Sequence, residues 1–240
     1  MRLGSSTVPS EEEEIKNFAD WILAIGNGET GPDENGQYDI DIPQDLLIQD
    51  CSDPLMSLVN FTYPDILSNM KNPSFFQDRG ILAPTLESVE HVNDYLMSII
   101  PGTEKEYLSF DSACQLKLKV GCPVMLMRNI DQVAGLCNGT RLIVTDLGKR
   151  FIGGTVITGK NAGDKIFVAR MNLVPSDPGL PFQLDVAIYL PKPVFTHGQL
   201  YVALSRVKSR KGLKLLILNE EGEVCTTTTN VVYREVFDNV

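Results

Sequence analysis

The sequence predicts an α/β protein that combines parallel strands with a small antiparallel barrel or curled sheet. Two apolar runs of strand length, residues 186–190 and 213–218, lie on either side of a helical pattern. That order is a β-α-β unit, which requires parallel strands. From residue 116 to residue 170 the pattern changes to short alternating strands separated by Gly, Asn and Asp turns, which is typical of an antiparallel sheet.

The N-terminal third reads as helices and one extended segment. Residues 10–13 form a capping box, and apolar residues follow at helical spacing until Gly26, which predicts an acidic amphipathic helix. Residues 40–43 predict a short extended segment. Residues 54–70 predict a helix that Pro64 splits in two.

A strand, a tight turn and a helix follow in residues 79–100. The strand runs into the turn at Pro84 and Thr85, and Val89, Val92 and Leu96 share one face of the helix. This order repeats the α/β pattern. Thr85 suits a cap at the helix start, and that structural role is sufficient to explain it.

The helix of the β-α-β unit is predicted over residues 196–207, with Thr196 as its cap. Its apolar face consists of four residues: Leu200, Ala203, Leu204 and Val207. Arg206 lies in the last turn with further basic residues behind it. From spacing alone, this arrangement favours a helix terminus whose negative end is complemented by positive charge.

Composition and charge indicate a globular protein with a localised basic region. The chain has 240 residues, 43% of them hydrophobic, and a formal net charge of −10, which argues against coating nucleic acid by charge alone. However, the net charge is −16 over residues 1–115, +6 over residues 116–170 and zero over residues 171–240. The basic middle predicts either a polyanion site or an ordinary solvated β surface.

The sequence argues against a membrane protein, a structural zinc site and a phosphate-binding loop. No apolar run approaches the roughly 20 residues that span a bilayer, and the start lacks a signal-peptide pattern, so we expect an intracellular protein without a membrane partner. Five scattered cysteines and two histidines predict free thiols and no structural zinc. Residues 154–160 fit Gly-x-x-x-x-Gly-Lys, but Asn161 follows instead of Ser or Thr, which predicts a hairpin turn.

Three stretches resemble the petite-integration-frequency (Pif) DNA helicases, superfamily-one enzymes, in the form common in plants and Helitron transposons. Residues 197–207, His-Gly-Gln-Leu-Tyr-Val-Ala-Leu-Ser-Arg-Val, resemble the family's last helicase motif. Residues 118–130 and 135–142 resemble its inserted Src-homology-type barrel. The resemblance implies a RecA-like (P-loop NTPase type) parallel-sheet domain with an inserted small antiparallel β-barrel. The implied divisions are 1–115, 116–175 and 176–240.

The resemblance also implies ATP and Mg²⁺ as cofactors, bound mainly by a preceding RecA-like domain. Arg206, and Arg2 as a second candidate, would reach the γ-phosphate, where such arginines stabilise charge that develops during phosphoryl transfer. The 240 residues contain no phosphate-binding loop followed by Ser or Thr. We therefore expect the C-terminal half of a helicase, beginning in mid-domain and unable to hydrolyse ATP without its first RecA-like domain in cis.

The implied partner is single-stranded DNA, and the implied activity is 5′-to-3′ unwinding in replication, repair, recombination or telomere maintenance. The implied location is the nucleus, with the mitochondrion as the alternative. The candidate DNA contacts are Pro84 and Thr85 in the turn, Lys119, Arg128, Asn138, Arg141 and Arg150 in the barrel, and His197 in the last motif.

Two family segments are missing, at the junctions between residues 115 and 116 and between residues 183 and 184. The second normally carries a Thr-x-x-Lys-Ser-Gln-Gly motif that contacts DNA, so its loss puts residues 186–190 in question as a family strand. The alternatives to a fragment of an active helicase are therefore a non-catalytic module that binds single-stranded nucleic acid, or a degenerate transposon relic.

Overall fold

The computed structural model describes residues 9–29, 36–50, 52–70, 72–108, 115–131, 134–170, 185–207 and 209–233. The helices in this part of the chain are α1 (Pro9–Asn27), α2 (Pro54–Thr62), α3 (Ile66–Asn69), α4 (Leu86–Ile99) and α5 (Gln199–Leu204). The strands are β1 (Gln37–Asp41), β2 (Arg79–Leu82), β3 (Lys105–Leu108), β4 (Gln115–Leu118), β5 (Pro123–Met125), β6 (Arg141–Leu147), β7 (Phe151–Val156), β8 (Lys165–Ala169), β9 (Asp185–Leu190), β10 (Leu213–Ile217) and β11 (Thr227–Val231).

The described residues form two compact units. The parallel unit holds the described residues up to Pro64, Arg79–Val92 and those from Asp185 onward. The antiparallel unit holds Asp65–Asp78 and the described residues from Asn93 to Arg170. The predicted divisions after residues 115 and 175 stay predictions.

The parallel unit is built on a three-stranded sheet in the order β10-β9-β2, and all its pairs are parallel. Val186 of β9 faces Leu213 on one side and Gly80 on the other. All residues of β9 from Val186 on are buried, as expected for a parallel sheet covered on both faces. The predicted β-α-β unit is confirmed, and the strand that the missing segment put in question is central to this sheet.

Helix α1 confirms the predicted amphipathic helix. Phe18, Ile22 and Ile25 are buried on its inner face, and it ends before Gly28, whose φ of 69° is the left-handed conformation common at helix ends. Trp21 stacks on Phe18 with ring centroids 5.8 Å apart. A short antiparallel ladder of β1 with β11 also belongs to this unit.

The break predicted at Pro64 is confirmed as well. Helix α2 ends at Thr62 and α3 begins at Ile66, with Pro64 in the connection. Asp53 caps α2, because its carboxylate accepts a hydrogen bond from the Met56 amide at 2.9 Å.

The antiparallel unit contains the four-stranded meander β5-β6-β7-β8 and the ladder of β3 with β4. Side chains along β6 alternate, so Leu142 and Val144 are buried while their neighbours are half-exposed. Two hydrophobic clusters lie within the unit, one around Cys122 and one around Leu142. Burial raises the pKa of the Cys122 thiol, which identifies it as a core residue. The predicted antiparallel sheet is confirmed.

The segment that mimics a phosphate-binding loop is the hairpin between β7 and β8. Gly154 pairs within β7, whereas Gly159 and Gly163 adopt positive φ values of 79° and 101° in the turn. The Gly163 amide donates to the Val156 carbonyl at 2.8 Å, which closes the hairpin. The sequence prediction for these residues is therefore confirmed.

In the part of the chain that the structure describes, no helix has the length and apolar character needed to cross a membrane.

Candidate nucleic-acid interface

The turn between β2 and α4 holds Pro84 and Thr85. The Thr85 hydroxyl accepts the Ser88 amide hydrogen bond at 3.2 Å and lies 2.8 Å from the Ser88 hydroxyl, so Thr85 caps α4 as its structural role predicted. The Gln199 side-chain amide donates to the Pro84 carbonyl at 3.0 Å. Gln199 was not predicted, although it lies inside the last motif, because spacing along one helix does not reveal a partner 115 residues away.

Helix α5 is shorter than predicted. It begins at Gln199 because Gly198 before it has a φ of 69°, and the predicted cap at Thr196 is wrong. The Thr196 hydroxyl instead donates to the Gln199 side-chain oxygen at 3.1 Å. The predicted apolar face is confirmed at Leu200, Leu204 and Val207, which are buried.

Arg206 lies two residues beyond the end of α5 and is half-buried, with its amide donating to the Ala203 carbonyl at 3.2 Å. A guanidinium group suits bidentate contact with phosphate oxygens. The residue type would suit a nucleotide phosphate, and contact of Arg206 with ATP stays a prediction. Arg2, the second candidate, lies outside the described residues.

Arg210, one of the basic residues behind Arg206, is engaged with an acidic side chain instead of with the end of the helix. Arg210 forms two hydrogen bonds with the Asp45 carboxylate, at 2.9 and 2.8 Å. This hydrogen bonding lowers the pKa of Asp45 below its ordinary value. The Arg210 guanidinium also lies 5.8 Å from the Phe18 ring centroid, so it is engaged within the parallel unit.

His197 is exposed, and one of its ring nitrogens is used internally. The Tyr233 amide donates to His197 Nδ1 at 3.0 Å, and the two rings stack with centroids 5.9 Å apart. This contact gives His197 a structural role at the end of β11. Contact with DNA by His197 stays a prediction.

Two of the candidate cations in the antiparallel unit bind backbone carbonyls. Lys119 Nζ donates to the carbonyls of Met97 and Ile100 at 2.7 and 2.9 Å, which satisfies the C-terminal end of α4. Arg141 Nη1 donates to the Phe76 carbonyl at 2.6 Å. Both side chains therefore stabilise this unit, and their contact with DNA stays a prediction.

Arg128 and Asn138 lie on the two arms of the loop that connects β5 to β6. The arms run side by side, because the Gly139 amide donates to the Leu126 carbonyl at 2.8 Å and the Asn138 amide donates to Asn129 Oδ1 at 2.9 Å. Arg128 Nη2 and Asn138 Oδ1 are buried and have no hydrogen-bond partner among the described residues. An unpaired buried polar atom costs about 1–3 kcal/mol, so a new hydrogen-bond partner at either atom would stabilise this loop.

The eight DNA candidates thus fall into two groups. Pro84, Thr85 and His197 lie in the parallel unit, and the other five lie in the antiparallel unit, where Arg150 is exposed in the turn between β6 and β7. Only the Arg128 and Asn138 loop offers unpaired buried polar atoms from two candidates. No group of three or more His, Cys, Asp or Glu side chains that could hold a metal ion occurs among the described residues.

Comparison with known proteins agrees with this architecture. Residues 110–147 match the family described as DNA helicase Pif1, 2B domain. The ATP-dependent DNA helicase PIF1 of Danio rerio is 33% identical over 177 residues, which cover 57% of this chain and 28% of that relative. Since 57% of 240 residues is about 137, about 40 aligned positions of the relative have no counterpart here. The chain spans less than a third of the length of the curated relatives it matches.

Solved structures show the same fold. The Pif1 helicase from Candida albicans matches with a TM-score of 0.53 and 18% identity, covering 93% of this chain and 56% of that one. The Pif1 helicase from Bacteroides in complex with ADP-AlF3 and ssDNA matches with a TM-score of 0.52 and 19% identity, covering 100% and 55%. The chain is therefore related to the Pif1 ATP-dependent DNA helicases and corresponds to part of such an enzyme.

Proposed function

We propose that this chain is part of an ATP-dependent 5′-to-3′ DNA helicase of the plant and Helitron type, and that its antiparallel unit holds single-stranded DNA. The observation that carries the proposal is the loop between β5 and β6, where Arg128 Nη2 and Asn138 Oδ1 are buried without partners. This loop lies within the Pif1 2B match and within the basic part of the chain. Because both atoms are shielded from solvent, the loop would rearrange so that a phosphate oxygen pairs with the guanidinium and a base or sugar donor pairs with the amide oxygen.

The other candidates would have supporting roles. Pro84 and Thr85 would present their turn to the DNA backbone, with the Pro84 carbonyl hydrogen-bonded to the Gln199 side chain. Arg150 and His197 would add exposed contacts. Lys119 and Arg141 would act mainly by keeping the antiparallel unit in shape, because their charges are engaged with backbone carbonyls. We propose a nuclear location, the family expectation.

Arg206 would contribute to ATP hydrolysis in the complete enzyme. ATP with Mg²⁺ supplies the phosphoryl group that is transferred to water. The Arg206 guanidinium would stabilise the charge that develops on the γ-phosphoryl group while it passes from ADP to water, an effect worth about a thousandfold or more in rate. We propose that the 240-residue chain alone does not turn over ATP.

Single-stranded DNA binding tests the first proposal. We expect filter binding of an oligo-dT strand to the 240-residue chain, with an affinity that falls as salt rises. Arg128→Met should weaken binding and reduce the salt slope by about one, the value for a lost phosphate contact. Lys160→Met, in the exposed β7–β8 turn, removes the same charge and is the matched control. Equal effects of the two changes would contradict a specific role for Arg128.

ATP turnover tests the role of Arg206. The chain alone should show no turnover above that of Arg206→Ala, and a chain joined to a preceding RecA-like domain should lose activity on Arg206→Ala. In that joined protein, Arg210→Ala is the control for lost charge, because Arg210 is engaged with Asp45. Turnover by the 240-residue chain that falls with Arg206→Ala would overturn the proposal that the chain is inactive alone.

A non-catalytic module that binds single-stranded nucleic acid is the second candidate. The antiparallel unit favours it, because the unit contains two hydrophobic clusters of its own, around Cys122 and Leu142. In that case strand binding would survive Arg206→Ala and weaken with Arg128→Met. A joined protein that binds DNA but hydrolyses no ATP would then favour this candidate over the helicase.

A further inference from the structure

Two phenylalanines lie exposed on the outer face of the four-stranded sheet. Phe151 is 41% exposed and Phe167 is 66% exposed, and their ring centroids are 5.5 Å apart at an interplanar angle of 80°. The register pairs Phe151 with Ala169 and Gly153 with Phe167, which places both rings on the face opposite the core. An exposed pair of large aromatic rings is unusual for a solvated sheet surface.

Glycines leave room for both rings to lie against the backbone. A Cβ atom at Gly153 would lie 3.0 Å from the Phe167 ring, and one at Gly148 would collide with the Phe151 ring. Any larger residue at these positions would push the rings away from the sheet. The pair therefore forms an exposed apolar surface with the two rings edge to face, and the neighbouring glycines leave room for it.

Three cations lie beside this surface. Lys149 and Arg150 lie in the turn before Phe151, and Lys165 shares the outer face with Phe167. In the described chain no hydrogen bond or ion pair engages these three side chains. The acidic group on this face is Asp146, opposite Gly153, and its carboxylate accepts a hydrogen bond from the Thr145 hydroxyl at 2.9 Å.

Two neighbouring cations are already engaged. Lys105 Nζ donates to the Leu147 carbonyl at 2.8 Å, and Arg170 Nη2 donates to the Leu108 carbonyl at 2.8 Å. They hold the β3 strand and the end of β6 in place. Lys149, Arg150 and Lys165 are therefore the groups on this face that remain available to a polyanion.

We propose that Phe151 and Phe167 form a stacking platform for unpaired bases of a single-stranded nucleic acid, with Lys149, Arg150 and Lys165 contacting its phosphates. Aromatic rings bordered by cations match bases bordered by phosphates, and every base has a π-face that can stack. A purely apolar protein surface would leave the three cations without counterions. The platform rests on the proposed binding of single-stranded DNA and adds a second contact region to it.

The platform and the Arg128 loop lie toward opposite ends of β6. Seven residues in a strand span about 20 Å, so one strand of nucleic acid several nucleotides long is long enough to reach both. The Arg128 loop would then hold the backbone at one end, and the phenylalanines would hold bases at the other. This arrangement predicts that a short oligonucleotide uses only one of the two regions.

The test compares strands with and without bases on the 240-residue chain. The double change Phe151→Leu and Phe167→Leu keeps apolar area but removes both rings. It should weaken filter binding of a long oligo-dT strand by about tenfold. Binding of an abasic strand of equal length should not change, because that strand offers nothing to stack. Leu116→Ala, at an exposed apolar position on β4, is the control for lost apolar surface.

The outcomes separate this inference from the proposed function. If the double change lowers the affinity for abasic and base-bearing strands equally, or for neither, the platform is overturned. The proposed function still stands in that case if strand binding depends on Arg128. A wild-type chain that binds neither strand overturns both. Self-association that disappears with the double change would overturn the platform in favour of contact between copies of this chain.

Discussion

Strands β9 and β8 show two ways in which one chain makes a sheet. Every residue of β9 after Asp185 is buried, whereas β8 alternates between exposed and half-buried residues. Strand β9 has neighbours on both sides and both faces covered, while β8 ends its sheet and presents one face to solvent. The difference shows where polar and exposed side chains can lie. The buried sheet forms the core of its unit, whereas the half-exposed sheet can carry cations and exposed rings on its solvent face.

The largest expected effect tests whether stability is concentrated in the buried sheet. Leu215→Ala on β10, where the side chain is fully buried, should lower the free energy of unfolding by about 2–5 kcal/mol. Phe167→Ala on β8 removes a larger side chain but should change stability by no more than about 0.5 kcal/mol, because that ring is mostly exposed. Chemical denaturation measures both. Comparable losses would break the contrast between the two sheets.

A smaller effect asks whether cations of the antiparallel unit are structural. Lys119→Met should lower stability by about 1–3 kcal/mol, because it leaves two carbonyls at the end of α4 without their charged donor. Lys117→Met is the matched control, since its ammonium contacts the exposed carboxylate of Asp94 at 3.3 Å, and exposed ion pairs add little to stability. Thermal unfolding compares the variants. If Lys119→Met reduces strand affinity with no loss of stability, Lys119 belongs with the DNA contacts.

The smallest expected effect is a loss of stability of the parallel unit at acid pH. Hydrogen bonds from Ser52 and Ser57 lower the pKa of Asp50 from 3.8 to about 2, and Arg210 lowers the pKa of Asp45. Because the folded pKa values lie below the unfolded ones, this stabilisation is complete above about pH 4 and is lost as the pH falls toward 2.

The measurement is an NMR titration of the carboxyl carbons. Ser57→Ala removes the hydroxyl that donates to Asp50 Oδ2 at 2.7 Å, so the pKa of Asp50 should rise toward 3.8 while that of Asp45 stays low. A pKa of Asp50 that does not move would mean that another group sets it.

Much of the fold could be predicted from residue patterns. The β-α-β unit, the break at Pro64 and the change to alternating strands after residue 116 all follow from local periodicity and turn residues. The start of α5 could not be predicted from its apolar face, because the left-handed conformation of Gly198 set it. Strand β3 was also not predicted, since its pairing with β4 depends on a contact between separate segments.

The candidate site was less accessible to sequence reasoning. Residue type identified Lys119 and Arg141 as cations, but their bonds to the carbonyls of Ile100 and Phe76 depend on tertiary structure. Similarly, nothing in the spacing of Arg128 and Asn138 distinguishes them from the other polar candidates. Their unpaired buried atoms become visible only when the two arms of the loop lie side by side.

The stacking of Trp21 on Phe18 has a practical consequence for spectroscopy. Trp21 is the only tryptophan in the chain, and it lies in α1 of the parallel unit. Its intrinsic emission therefore reports on that unit alone, without a label. Because Arg210 lies over the Phe18 ring, loss of the Asp45 contact should also alter the emission of the neighbouring indole. The fluorescence of this one side chain can thus be used to monitor the parallel unit separately from the rest of the protein.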